Sequence, residues 1–206
     1  LVNRCAPLPP KSKLLVLGGG FSGQHIANTA RSLDCDVICT RRTITSQGAD
    51  IVFDSESLLL PSKKSLEGVT HLLSCIPPSK TGQDPVITTI CEQLKELPLQ
   101  WAGYLSTTGV YGNCKGEWVK ETALTQPEQD RSKRRLACEQ EWQNSGLPIQ
   151  ILRLPGIYGP GRSAIQTIQN GCFRMIEKKD QVFSRIHVDD IAGATFHLIN
   201  QSAKGK

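Results

Sequence analysis

An apolar run, Leu14 to Leu17, stops at three consecutive glycines, and helix-forming residues without proline follow from Gln24. Gly18, Gly20 and Gly23 take the spacing G-x-G-x-x-G between a strand-like and a helix-like segment, the context in which that pattern carries information. Gly18 permits a tight turn, Gly20 lets backbone approach a pyrophosphate without an intervening Cβ, and Gly23 lets the helix pack closely on the strand. The unit predicts a helix whose N-terminal N–H groups and positive dipole end face a dinucleotide diphosphate. The candidate cofactor contacts here are Gly18, Gly20, Phe21, Ser22 and Gly23.

Further strands follow at the spacing of a parallel sheet. Cys35 to Thr40 reads as the second strand and runs straight into Arg41 and Arg42. An acidic residue at that strand end would suit a free ribose 2′-hydroxyl, whereas guanidinium forks suit a 2′-phosphate. Arg41 and Arg42 therefore point to NADP, with NAD as the alternative; a solvated arginine pair is the plain structural reading. Ala49 to Phe53 reads as the third strand and ends at Asp54, which is either an adenine-side contact or a turn cap. Val69 to Ile76 reads as the fourth strand, stopped by Pro77 and Pro78, and His71 within it has no partner at ligand spacing. Asp84 and Pro85 open a helix as N-cap and first residue. Trp101 to Ser106, a helix over about residues 128–145 and Ile149 to Leu154 complete six strands alternating with helices. This predicts an α/β fold, a Rossmann-type doubly wound parallel sheet in the order 3-2-1-4-5-6 between two helical layers.

The 206 residues are expected to make a proline-rich, mobile N-terminal segment over 1–12 and one nucleotide-binding domain over 13–206. A net charge of +5, scattered except at Arg41-Arg42 and the run RSKRR from Arg131, argues against a nucleic-acid binder. No apolar run approaches the roughly 18 residues of a membrane span, so neither nucleic acid nor membrane is an expected partner. The eight cysteines show no C-x-x-C pair and no zinc-type spacing with histidine, so no metal is expected and the thiols read as reduced. The expected location is cytoplasmic, with an organelle stroma after removal of a targeting peptide as the alternative.

Four segments in order carry a family likeness: GGGFSG from Gly18, STTGVYG from Ser106, LRLPGIYGPG from Leu152 and RIHVDDIA from Arg185. Together they resemble the extended short-chain dehydrogenase/reductase superfamily, in its NAD-dependent epimerase/dehydratase group, over nearly the whole chain. The run SCIPPSKTGQDPV from Ser74 is similar to the atypical branch of that group. The resemblance implies a nicotinamide dinucleotide, adds Ser74, Ile76, Pro77 and Pro155 to its candidate contacts, and implies a small-molecule substrate of the nucleotide-sugar kind; a homodimer is compatible with it. Members normally continue into a small C-terminal substrate lobe, which is expected to be truncated one helix beyond RIHVDDIA.

In that superfamily a tyrosine, a lysine four residues later and a serine or threonine run the acid/base chemistry. Thr107, four residues before Tyr111, falls on the serine/threonine position. Counting from Pro127 to a helical glutamate matched by Glu139 places Arg131 on the tyrosine and Arg135 on the lysine. Arginine stays protonated, so it cannot trade a proton as a tyrosine does. Two readings follow. Another group supplies the acid/base, Tyr111 first, then Tyr158 and His187; or the chain binds NADP without turnover, as a redox sensor, with Arg131 and Arg135 as anion contacts. An exposed helical face is the plain reading of RSKRR, and helix capping is that of Asp189 and Asp190.

Overall fold

Alternate residues of the first apolar run face opposite sides of one sheet. Leu14 and Val16 join one hydrophobic cluster and Leu15 and Leu17 the other, and all four are fully buried. The computed structural model describes residues 5–44, 49–172 and 182–202. Within them β1 (Lys13–Leu17), β2 (Asp36–Arg41), β3 (Ile51–Val52), β4 (His71–Ser74), β5 (Trp101–Thr107) and β6 (Ile149–Leu154) form a six-stranded sheet in the order β3-β2-β1-β4-β5-β6. Every neighbouring pair is parallel. This is the Rossmann-like order expected from the sequence.

The helices α1 (Phe21–Ser32), α2 (Pro85–Lys95), α3 (Asp130–Gln143), α4 (Ala164–Gln169) and α5 (Val188–Ser202) follow in chain order. Ile26, Ala27 and Ala30 of α1 and Ile191, Phe196 and Ile199 of α5 cover one face of the sheet. Val86, Ile90 and Leu94 of α2 and Cys138 and Trp142 of α3 cover the other. Each fully buried leucine or isoleucine in these layers contributes about 1.5–3 kcal/mol of transfer free energy. The carboxylate of Asp84 ties the second layer together: Oδ1 accepts the N–H groups of Val86 (2.9 Å) and Ile87 (3.1 Å), and Oδ2 accepts the indole N–H of Trp142 (2.9 Å).

The element bounds differ from expectation in physically readable ways. α1 starts at Phe21 rather than Gln24, because Gly20 takes the extended N-cap conformation. β3 is only two residues long, and Asp54 beyond it pairs instead with Leu59. A second, two-stranded parallel sheet of β7 (Gly156–Tyr158) and β8 (Arg185–His187) lies beyond the end of β6. Of the segment expected to be mobile, residues 1–4 lie outside the described residues; Leu8 is buried in the core and the Pro7 carbonyl accepts from Asn200. Among the described residues no helix is long and apolar enough to cross a membrane.

Candidate functional site

The turn between β1 and α1 shows what each glycine is for. Gly18 has φ +92°, and a Cβ on Gly23 would lie 2.2 Å from the Gly18 carbonyl oxygen, so only glycine lets α1 seat there. A Cβ on Gly20 would meet nothing within 4 Å among the described residues, which leave space in front of the helix end. Among the described residues no side chain caps α1, and its first intrahelical bond runs from Gln24 N to Gly20 O. The N–H groups of Phe21, Ser22 and Gly23 therefore lack helical acceptors, and together with the dipole they suit a diphosphate. The residues present fit a dinucleotide.

At the end of β2, Arg41 lies across the glycine turn: a Cβ on Gly19 would come within 3.1 Å of its Cγ and Nε. Its Nη2 donates to Gln24 Oε1 at 3.2 Å, while its buried Nε has no hydrogen-bond partner among the described residues. An unpaired buried donor costs about 1–3 kcal/mol, and such groups call for an explanation. Arg42 beside it is exposed. Asp54 is a turn-former, its Oδ1 accepting Glu56 N at 3.1 Å, and bonding from Ser57 first, then the other turn contacts, lowers its pKa.

Ser74 is fully buried at the end of β4, and its Oγ is likewise without a partner among the described residues. Ile76 packs on the turn, its Cγ1 2.8 Å from where a Gly18 Cβ would be. Pro77 is exposed, whereas Pro155 is half-buried between β6 and β7. All these candidates share the C-terminal edge of the sheet, where ligands bind in open α/β folds. His71 stands apart, buried at the N-terminal end of β4 with Nδ1 2.8 Å from Thr70 Oγ1, and burial lowers its pKa.

The candidate catalytic residues divide sharply. Thr107 ends β5, and its Oγ1 accepts Gly109 N at 3.1 Å, which leaves its hydroxyl proton to donate elsewhere. Arg131 is exposed on the first turn of α3 and makes no ion pair among the described residues. Arg135, four residues on, turns inward. Its Nη1 donates to Tyr104 Oη (2.9 Å), Leu105 O (3.1 Å) and Ile76 O (3.4 Å), so it bolts the ends of β4 and β5 together. The exposed-face reading of RSKRR therefore holds for Arg131 and Lys133 and fails for Arg135.

Tyr111 is buried, and its phenol oxygen accepts from Arg153 Nη1 at 3.0 Å. The Arg153 Cζ also lies 4.9 Å from the Tyr111 ring centroid. Behind it, Arg153 Nη2 donates to Glu139 Oε2 at 2.8 Å, and Ser106 Oγ donates to Glu139 Oε1. These bonds, Glu139 first, raise the Arg153 pKa further. Sequence reasoning missed Arg153; the available signal was one charged residue in the otherwise apolar run IQILRL.

Asp189 departs from the capping reading. Asp189 lies in the first turn of α5, but its carboxylate bonds His25 on α1, and His187 Nδ1 instead accepts Asp189 N at 3.3 Å. Tyr158 is 43 % exposed and stands edge-on to His187 with ring centroids 5.0 Å apart. Among the described residues no group of histidine, cysteine and carboxylate side chains could hold a metal ion.

Comparison with known proteins fits this geometry. The model of the NAD dependent epimerase/dehydratase family matches residues 14–206, so the chain belongs to that family. Protein YeeZ of Escherichia coli strain K12 is 28 % identical over 169 residues, which cover 78 % of this chain and 54 % of YeeZ. The chain thus spans about half the length of the curated relatives it matches. A functionally unknown conserved protein from Silicibacter pomeroyi is 36 % identical, with TM-score 0.78 over 92 % of this chain and 68 % of its own. MoeE5, solved in complex with UDP-glucose and NAD, shares the fold at TM-score 0.73 and 19 % identity, over 91 % of this chain and 71 % of its own.

Proposed function

We propose that this chain binds NADP(H) at the C-terminal edge of its sheet and uses it on a nucleotide-sugar-like substrate, by epimerase/dehydratase or oxidoreductase chemistry. The observation that carries the reading is the Tyr111–Arg153 contact beside Thr107. It puts a permanent cation on a phenol oxygen, the electrostatic role that lysine has in the usual tyrosine–lysine pair. The nicotinamide, when bound, supplies the hydride donor or acceptor. Tyr111 then exchanges the proton at the substrate oxygen, Thr107 donates a hydrogen bond to that oxygen, and Arg131 meets a substrate anion from the first turn of α3. The UDP-glucose and NAD held by MoeE5 support this choice of substrate class.

The NADP part of the reading rests on Arg41, whose guanidinium lies on the glycine turn with one N–H unpaired, and on exposed Arg42. A redox-sensing module is the second reading, favoured by arginine at both positions of the usual proton-transfer pair and by the internal bonds of Arg135. A screen of nucleotide sugars and small carbonyl compounds for NADPH-linked turnover separates the two. Turnover on any of them supports the enzyme; NADPH binding with no turnover and a cofactor-dependent protein partner supports the sensor.

A further inference from the structure

Arg41 is the terminus of a hydrogen-bonded chain along the exposed side of α1. Its Nη2 donates to Gln24 Oε1 (3.2 Å), and Gln24 Nε2 donates to Asn28 Oδ1 (2.9 Å), which also accepts from Arg31 Nη1 (3.2 Å). Arg31 Nη2 then donates to Asp50 Oδ2 at 2.7 Å, and that same oxygen accepts the backbone N–H of Cys39 at 2.6 Å on the strand that carries Arg41. The path leaves β2 at Cys39, passes along α1 and returns to β2 at Arg41. Gln24 is its last member before the guanidinium.

We infer that Gln24 is a specificity-positioning residue for the adenosine end of the cofactor: it fixes the plane of the Arg41 guanidinium against Gly19 and so presets it for a 2′-phosphate. This rests on the NADP reading. Arginine is long and rich in rotamers, and a free one must be ordered when an anion binds. On Arg41 part of that ordering is in place beforehand, because Nη2 is held by Gln24 and the Cγ–Nε stem lies where a Gly19 side chain would begin. Gln24 is a neutral acceptor, so it orients the cation without cancelling its charge. A carboxylate at the same place would hold Arg41 as firmly and compete with the phosphate for it.

The test compares the full chain with Gln24→Leu, Gln24→Glu and Arg41→Ala, with Kd for NADPH and NADH from fluorescence titration and Tm for each. Loss of one side chain's preorganisation predicts that Gln24→Leu weakens NADPH binding about 2- to 10-fold. NADH binding should stay within about twofold, so the ratio of the two constants moves. Gln24→Glu should lower the NADPH preference further than Gln24→Leu does. Equal loss of both affinities with a lowered Tm would mean a structural role and overturns the inference, as does an unchanged ratio in both Gln24 variants when Arg41→Ala shifts it. If the unmodified chain itself shows no NADPH preference, the NADP reading falls first and this inference with it.

Discussion

Arg153 on β6 donates through Nε and Nη2 to the carboxylate of Glu139 on α3, and Glu139 is 1 % exposed. The pair joins the last strand of the sheet to the helix that carries Arg131 and Arg135. Removing Arg153 leaves the buried Glu139 carboxylate without its ion-pair partner, so Arg153→Met alone should cost about 3–5 kcal/mol of stability. Urea denaturation measures this. Glu139→Leu combined with Arg153→Met should recover part of the loss, since an apolar pair of similar volume removes both charges together. A single-variant loss under about 1 kcal/mol would place the pair among weak surface bridges instead.

His71 sets a pH dependence. Burial lowers its pKa below the ordinary 6.5, so the unfolded chain takes up a proton first as the pH falls. Its stability contribution is present above the unfolded value and is lost as the pH drops through the folded one. The unmodified chain should lose stability on acidification below about pH 6.5, and His71→Phe should flatten the curve over that window. Parallel curves for the two proteins between about pH 7 and pH 5 would contradict this.

These two effects also mark what is legible in the residues alone. The glycine turn and the Asp84–Pro85 helix start are readable because each depends on local pattern, glycine spacing and a capping side chain. The strand order is readable because six apolar runs alternate with helices at the spacing of a parallel doubly wound sheet. His71 is readable as structural, having no partner at ligand spacing, whereas its burial follows from its place at the start of β4 inside the sheet. The Tyr111–Arg153–Glu139–Ser106 network is not, because its members come from four separate elements and meet only after the sheet is assembled. Arg131 and Arg135 share one charge run, yet one is exposed and the other bolted inward, a difference set by the strand ends that α3 packs against. Asp189 looks like a cap in sequence, and its carboxylate is instead claimed by His25, 164 residues earlier.

The cofactor preference is testable through Arg41 and Arg42 together. A charge-assisted bond to a 2′-phosphate is worth about 1.5–3 kcal/mol, or roughly 10- to 150-fold in Kd. NADP(H) should therefore bind more tightly than NAD(H), and alanine at both positions should erase the difference while NADH affinity stays nearly the same. Titration at two salt concentrations adds a check, because the NADPH advantage should shrink at the higher one. Equal affinities in the unmodified chain would refute the preference.

Tyr111 separates chemistry from packing. Its phenol oxygen takes a bond from Arg153 and its ring lies under the same guanidinium, so it has both a cation for proton transfer and the surroundings of a packed core residue. The two roles respond differently to loss of one oxygen. If Tyr111 moves the substrate proton, Tyr111→Phe should lower turnover by about two to four orders of magnitude while NADPH affinity is unchanged. Should it only pack, the variant loses one hydrogen bond, stability falls by about 1–3 kcal/mol and turnover follows the folded fraction. Tyr158→Phe is the companion, because Tyr158 is exposed beside His187 and carries no such cation contact among the described residues. A large turnover loss in Tyr158→Phe with full activity in Tyr111→Phe would move the acid/base role from the β5 end to the small β7–β8 sheet.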